Sequence, residues 1–137
     1  MMLLISDYWM GRDSRYRGEL TGVIRANADD LMRKVNTLFD LAGIKLEDSP
    51  KTGSPITSGW RPPAVNAATD GAAVRSKHLT GQAVDLYDPE GELKDWCENN
   101  LSELDRAGLW MEHASACKGW IHLQSIPPRS GRRIFYP

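Results

Sequence analysis

Three side chains in this sequence have types that suit a metal centre: His78 and Asp85 in "SKHLTGQAVDL", and His122 in "GWIHLQ". Two neutral imidazoles and one carboxylate suit zinc, and three protein ligands leave a fourth position for water, the pattern of catalytic rather than structural zinc sites. Zinc in such a site lowers the pKa of its water and polarises a carbonyl. Hydrolysis then also needs a carboxylate outside the ligand set as general base and acid. Glu112 is the candidate for that role. On spacing alone, a lone histidine or a lone strand aspartate is more often structural than a ligand, and other divalent ions also accept this donor set.

These residues must be held by sheet segments. "AVDLY" alternates, with Val84 and Leu86 on one face and Ala83, Asp85 and Tyr87 on the other. "LWME" and "WIHL" also alternate, and "HASACKG" between them is a plausible hairpin loop. Pairing Glu112 opposite Trp120 places Trp110 opposite His122, because residue numbers across an antiparallel ladder have a constant sum. Leu109, Met111, Ile121 and Leu123 then share the core face, and Trp110, Glu112, Trp120 and His122 the other. In that register Glu112 is diagonal to His122, within reach of a metal-bound water. An acid, a histidine and two tryptophans on a non-core face suggest the floor of a cleft.

Around this sheet the spacing predicts helices. Leu31, Val35, Leu38, Phe39 and Ala42 recur at helical period from about Asn27, which can cap the helix, and Gly43 ends it. "ITSGWR" reads as a short strand stopped by Pro62 and Pro63, and "PAVNAATDGAAVRS" as irregular loop with one helical turn. Asp88 and Pro89 form an N-cap and N1 pair for a helix with Leu93, Trp96, Cys97, Leu101 and Leu104 as its buried stripe, ending at Gly108. The expected architecture is a single α+β domain over residues 1–137, a small antiparallel sheet backed by helices. Residues 1–50 form a lead segment and helix, and residues 56–124 the metal-site core.

Composition narrows the function classes. The chain has 137 residues, 41% hydrophobic and 26% charged, with a net charge of -1, so nothing points to nucleic acid as a partner. No apolar run approaches membrane-spanning length, and "MMLLIS" lacks the basic start and cleavage site of a signal peptide. Cys97 and Cys117 are too few and too far apart for a redox motif or a cysteine-rich zinc site, and read as two reduced thiols.

The stretch "SKHLTGQAVDL" resembles the Ser-x-His-x-x-Gly-x-Ala-x-Asp signature of the zinc D-alanyl-D-alanine carboxypeptidase family. That family includes phage peptidoglycan endopeptidases and shares its fold with hedgehog signalling domains. "ITSGWRPPAVNAA" resembles its Ser-Gly-aromatic-Arg segment, "LWME" its acidic strand and "GWIHLQ" its closing Trp-x-His, in the same order. The likeness implies one zinc per chain on His78, Asp85 and His122. It matches Arg61 to an arginine that holds a substrate carboxylate or steadies the carbonyl oxygen, places Ser76 and Asn66 near the substrate, and makes Gly81 the turn that brings His78 and Asp85 together. Trp120, which flanks a ligand, is a further substrate-binding candidate.

One departure stands out. The family commonly places its catalytic acid three to six residues before the last histidine, whereas Glu112 lies ten before His122. A longer hairpin loop accounts for this, and His113 is the alternative base. The resemblance implies a peptidase that cuts an amide bond in peptidoglycan stem peptides, as a D,D- or L,D-carboxypeptidase or endopeptidase of phage lytic type. Such an enzyme is expected to be a monomer, made in the cytoplasm, released by a holin-type partner and active on the cell envelope. A non-catalytic zinc-containing cell-wall-binding or virion module is the competing reading.

Overall fold

The computed structural model describes residues 2–137. Its helices are α1 (Ile5–Trp9), α2 (Arg12–Arg15), α3 (Gly22–Ala42), α4 (Pro63–Ala68), α5 (Glu92–Asn99) and α6 (Leu101–Ala107). Its strands are β1 (Ile56–Ser58), β2 (Ala83–Tyr87), β3 (Trp110–Glu112), β4 (Trp120–Gln124) and β5 (Ile134–Phe135). They form one sheet in the order β1-β2-β4-β3-β5. All neighbours are antiparallel except β3 and β5, which run parallel, so the expected α+β sheet is present with one parallel edge.

The apolar stripe of the longest helix, α3, formed by Leu31, Val35, Leu38 and Phe39, shares one buried core with the sheet residues Val84, Leu86, Met111 and Leu123. Each such side chain contributes about 2 kcal/mol by leaving water. The helix starts five residues before the position expected from its periodicity, because Thr21 accepts the Ile24 N–H at 3.2 Å and acts as the cap. Val23, at 71% exposure, falls outside the apolar stripe, which hid the first turn. Asn27, free of capping duty, donates to the Thr80 carbonyl at 3.0 Å and ties α3 to the loop between His78 and β2. Gly43 ends the helix in left-handed conformation, as expected.

The helix expected after Asp88 is divided. Residues 88–91 form a turn, and the Asp88 carboxylate accepts the N–H groups of Leu93 and Lys94, both at 3.0 Å, capping α5 from a distance. Asn100 leaves helical geometry and separates α5 from α6, which turns Leu101 out of the buried stripe to 43% exposure.

The N-terminal helix α1 packs against α3 and β1. Tyr8 is fully buried: its carbonyl accepts the Trp60 N–H at 3.2 Å and its hydroxyl donates to the Ala83 carbonyl at 2.8 Å. It thus joins the end of β1 to the start of β2. Arg12 adds a bond to the Trp60 carbonyl at 2.9 Å. No helix among the described residues is long and apolar enough to cross a membrane.

Candidate metal centre

Alternation along β2 and β4 brings the central pair together. Asp85 and His122 are direct partners across the ladder, between the core-facing pairs Val84 with Leu123 and Leu86 with Ile121. His78 enters from the loop before β2. Its Nε2 lies 3.2 Å from Asp85 Oδ1, and His122 Nδ1 lies 2.9 Å from the same oxygen. One donor atom from each of the three residues falls within 4.8 Å of the others. The turn between them needs Gly81, whose φ is +75° and whose absent Cβ would stand 2.8 Å from the Ile24 carbonyl of α3.

The outer nitrogens decide the chemistry of the inner ones. His78 Nδ1 lies 2.8 Å from the Gly59 carbonyl, which can only accept, so this nitrogen carries the proton. His122 Nε2 lies 2.9 Å from Gln124 Oε1, and the Gln124 amide nitrogen is committed to the Ile126 carbonyl at 2.8 Å. Nε2 of His122 therefore donates as well. In the neutral rings both inner nitrogens direct lone pairs at a buried carboxylate, an arrangement that calls for a cation. The donor set thus fits zinc, with His78, Asp85 and His122 to hold it and Gly59 and Gln124 as the partners that orient the rings.

Electrostatics follow the same pattern. Burial lowers the His78 pKa, although Asp85 opposes it. Burial also disfavours charge on His122, but the bond to Asp85, its charge and Gln124 together raise the pKa above the ordinary histidine value. For Asp85, burial is outweighed by the two histidines, and the carboxyl is held well below the usual range.

Glu112 lies beside this group, with Oε2 3.9 Å from His122 Nδ1. Burial, with a smaller contribution from the Asp85 charge, raises its pKa against the pull of His122. The hairpin register differs from the expected one by two residues: Trp110 pairs with Gln124 and Met111 with Leu123. Extending that ladder puts Glu112 directly across from His122 rather than diagonal to it. A 3-10 turn at Ala114–Ala116 takes up the long spacing, and the parallel strand β5 extends the ladder on the other side of β3 through the His113 N–H bond to the Phe135 carbonyl at 2.7 Å. The shift is even, so every face assignment is unchanged.

Arg61 reaches the group from the segment that follows β1. Its Nε donates to Ser58 Oγ at 3.0 Å and its Nη2 lies 3.5 Å from Asp85 Oδ2. Ser76 Oγ accepts the His78 N–H at 3.2 Å. Arg61, Ser76, Glu112 and Trp120 line, with the three central residues, an open cleft of about 410 Å³. Two other candidates lie elsewhere. Asn66 is buried outside the cleft lining, donating to the Ala73 carbonyl at 2.9 Å, and braces the loop that precedes His78. His113 is engaged by Ser115 Oγ at 2.8 Å and stacks on Tyr136 at 4.4 Å, also outside the lining. Trp60 is fully buried, and Trp110 lies under Arg133 at 4.3 Å, so neither contributes to the groove.

Sequence reasoning assigned no role to Ser58 and Gly59, although both stand in the Ser-Gly-aromatic-Arg segment, and none to Gln124 or the C-terminal pair Phe135 and Tyr136. Gln124 was detectable, because it stands two residues after His122 and so shares its face. The Gly59 carbonyl carries no side-chain signal. Phe135 and Tyr136 reach the cleft through a parallel pairing that follows a nine-residue connection without regular structure.

A buried His-Asp-His group with an adjacent carboxylate and a tethered arginine, set on a sheet at the base of a cleft, defines a metal-dependent hydrolase centre. The Peptidase M15 family model matches residues 17–124, and the chain belongs to that family, the zinc D-alanyl-D-alanine carboxypeptidases. It is therefore of metallopeptidase type. No curated protein and no solved structure matches the chain.

Proposed function

We propose that the chain hydrolyses an amide bond in the stem peptides of peptidoglycan, as a cell-wall lytic enzyme of phage type. The observation that carries the reading is the placement of Glu112 and Arg61 on either side of the buried His78, Asp85 and His122, all open to one cleft. The family's zinc peptidase character supports it.

Zinc held by His78, Asp85 and His122 supplies Lewis-acid polarisation of a carbonyl and activation of water. Glu112 accepts the proton of the attacking water and returns it to the leaving amine. Its raised pKa brings it closer to the value at which a carboxyl group exchanges protons near neutrality. Arg61, fixed by Ser58 and Asp85, presents a guanidinium fork to a substrate carboxylate or to the developing oxyanion. The protein acts on the cell envelope after synthesis in the cytoplasm, as a monomer that depends on a holin-type partner for release.

Mass spectrometry of peptidoglycan fragments incubated with zinc-loaded protein tests the substrate. A defined product whose mass places the cut within a stem peptide is expected, and its mass names the bond. Intact fragments from both Gram-negative and Gram-positive walls would favour the non-catalytic wall-binding module.

A further inference from the structure

The sheet order gives the cleft two unlike sides. Arg61 follows β1 at one edge, and Phe135 lies on β5 at the other, with Asp85 and His122 between them. The chain leaves Arg61, runs through α4 and the segment 69–77, and returns to it, since the His78 carbonyl accepts the Arg61 N–H at 3.1 Å. That segment therefore walls the β1 side, and it brings Arg75 and Lys77 into the cleft lining. On the β5 side the lining is Phe135, Tyr136 and Pro137, with Tyr136 66% exposed.

Arg75 and Lys77 have no ion-pair partner among the described residues. Arg61 already faces Asp85, and Arg129, on the connection before β5, adds a third unpaired cation to a lining whose acids are Asp70, Asp85 and Glu112, with Asp70 the acid on the loop itself. The loop is braced from within. Asn66 holds the Ala73 carbonyl, Thr69 Oγ1 donates to the Val65 carbonyl at 2.7 Å, and the Ser76 N–H bonds the Ala73 carbonyl at 3.1 Å. The braced backbone fixes where the exposed Arg75 and the half-buried Lys77 leave the wall, so positive charge without a protein partner stands beside the reaction centre and attracts negative charge.

We infer that Arg75 and Lys77 form an anion subsite on the β1 side of the cleft, which takes a carboxylate of an acidic peptide distinct from any carboxylate held by Arg61. The inference rests on the peptidase reading above and gives the substrate a direction, with its acidic group toward Arg75 and Lys77 and its apolar part toward Tyr136. The charge is read at a half-open surface, so the preference is several-fold and sensitive to salt.

The test uses two synthetic stem-type peptides, identical except that one has a glutamyl carboxylate where the other has the carboxamide. Binding is measured by calorimetry on the metal-free protein, which leaves the peptides intact, and cleavage is measured separately on the zinc-loaded protein. The carboxylate peptide should bind roughly fivefold tighter at low salt, and the difference should vanish near 0.5 M salt. It should also vanish in an Arg75→Gln/Lys77→Gln variant that keeps the wild-type Tm. Equal binding of the two peptides, binding of neither, or a preference that survives in the variant would overturn the subsite. Cleavage of both peptides without a binding preference would leave the peptidase reading intact while the subsite fails. A clear preference without cleavage of either would sink the peptidase reading and leave the subsite standing.

Discussion

Gly59 is required by contact rather than by conformation. A Cβ there would stand 1.9 Å from the Tyr8 carbonyl oxygen and 2.8 Å from its carbon, both backbone atoms. Non-bonded carbon and oxygen keep about 3 Å apart, so Gly59→Ala must separate the two segments by roughly 1 Å. The separation breaks the Trp60 N–H bond to the Tyr8 carbonyl, now 3.2 Å, and carries the Gly59 carbonyl away from His78 Nδ1. One lost hydrogen bond costs about 1 kcal/mol, and overpacking adds about 1 to 3 kcal/mol. For a domain of this size that is roughly 5 to 15 °C in Tm. Loss of the carbonyl that orients a ligand histidine should also weaken metal binding about 10- to 100-fold. Thermal unfolding of the metal-free protein reads the first effect and chelator competition the second. Gly22→Ala, which meets open space, is the control and should be near neutral. A Gly59→Ala protein with wild-type Tm and wild-type metal affinity would refute both the packing and the orientation argument.

Removing the Gln124 acceptor by Gln124→Leu should leave His122 Nε2 without a partner and weaken metal binding about tenfold, while the fold persists by circular dichroism. The raised pKa of His122 means that its protonated form stabilises the metal-free protein below the ordinary histidine value, and that this contribution is lost as pH rises through the folded value. Metal takes the place of that proton, so the gain in Tm on adding zinc should grow between about pH 6 and 8, and a gain that is flat or falls over that range would contradict the ligand assignment. Cys97 is fully buried and its thiol is pushed up to about 12, chiefly by burial. Its contribution to stability is present below the ordinary thiol pKa and is lost as pH rises toward about 12, and at neutral pH Cys97 should resist alkylation until the protein unfolds. Cys117 borders the cleft and keeps 8% exposure, so peptide mapping should find it modified first.

Much of the site was legible because it rests on parity. Asp85 and His122 sit on alternating strands whose apolar neighbours name the core face, and an even register error does not move a residue across the sheet. The absolute register was not legible, since it depends on a 3-10 turn at Ala114–Ala116 and on pairing of β3 with β5, and neither leaves a periodic trace. Helix limits failed where a cap lies outside the apolar pattern, as Thr21 does, and where the expected cap, Asp88, acts across a turn on a helix that begins only at Glu92. Asn66 illustrates a different limit, because its place in the motif does not reveal that its amide is spent on the Ala73 carbonyl. The support shell was mostly invisible for a related reason: the Gly59 and Ala83 carbonyls act through backbone atoms that every residue possesses.

The most direct measurement compares wild type with Glu112→Gln for metal content and for hydrolysis of stem-type peptides. The account predicts one equivalent of metal in both proteins and a loss of about 100- to 10,000-fold in turnover for the variant, because Glu112 moves the proton without holding the ion. Turnover near the wild-type rate in a fully metallated Glu112→Gln protein would show that the proton is carried elsewhere and would contradict the site as assembled here.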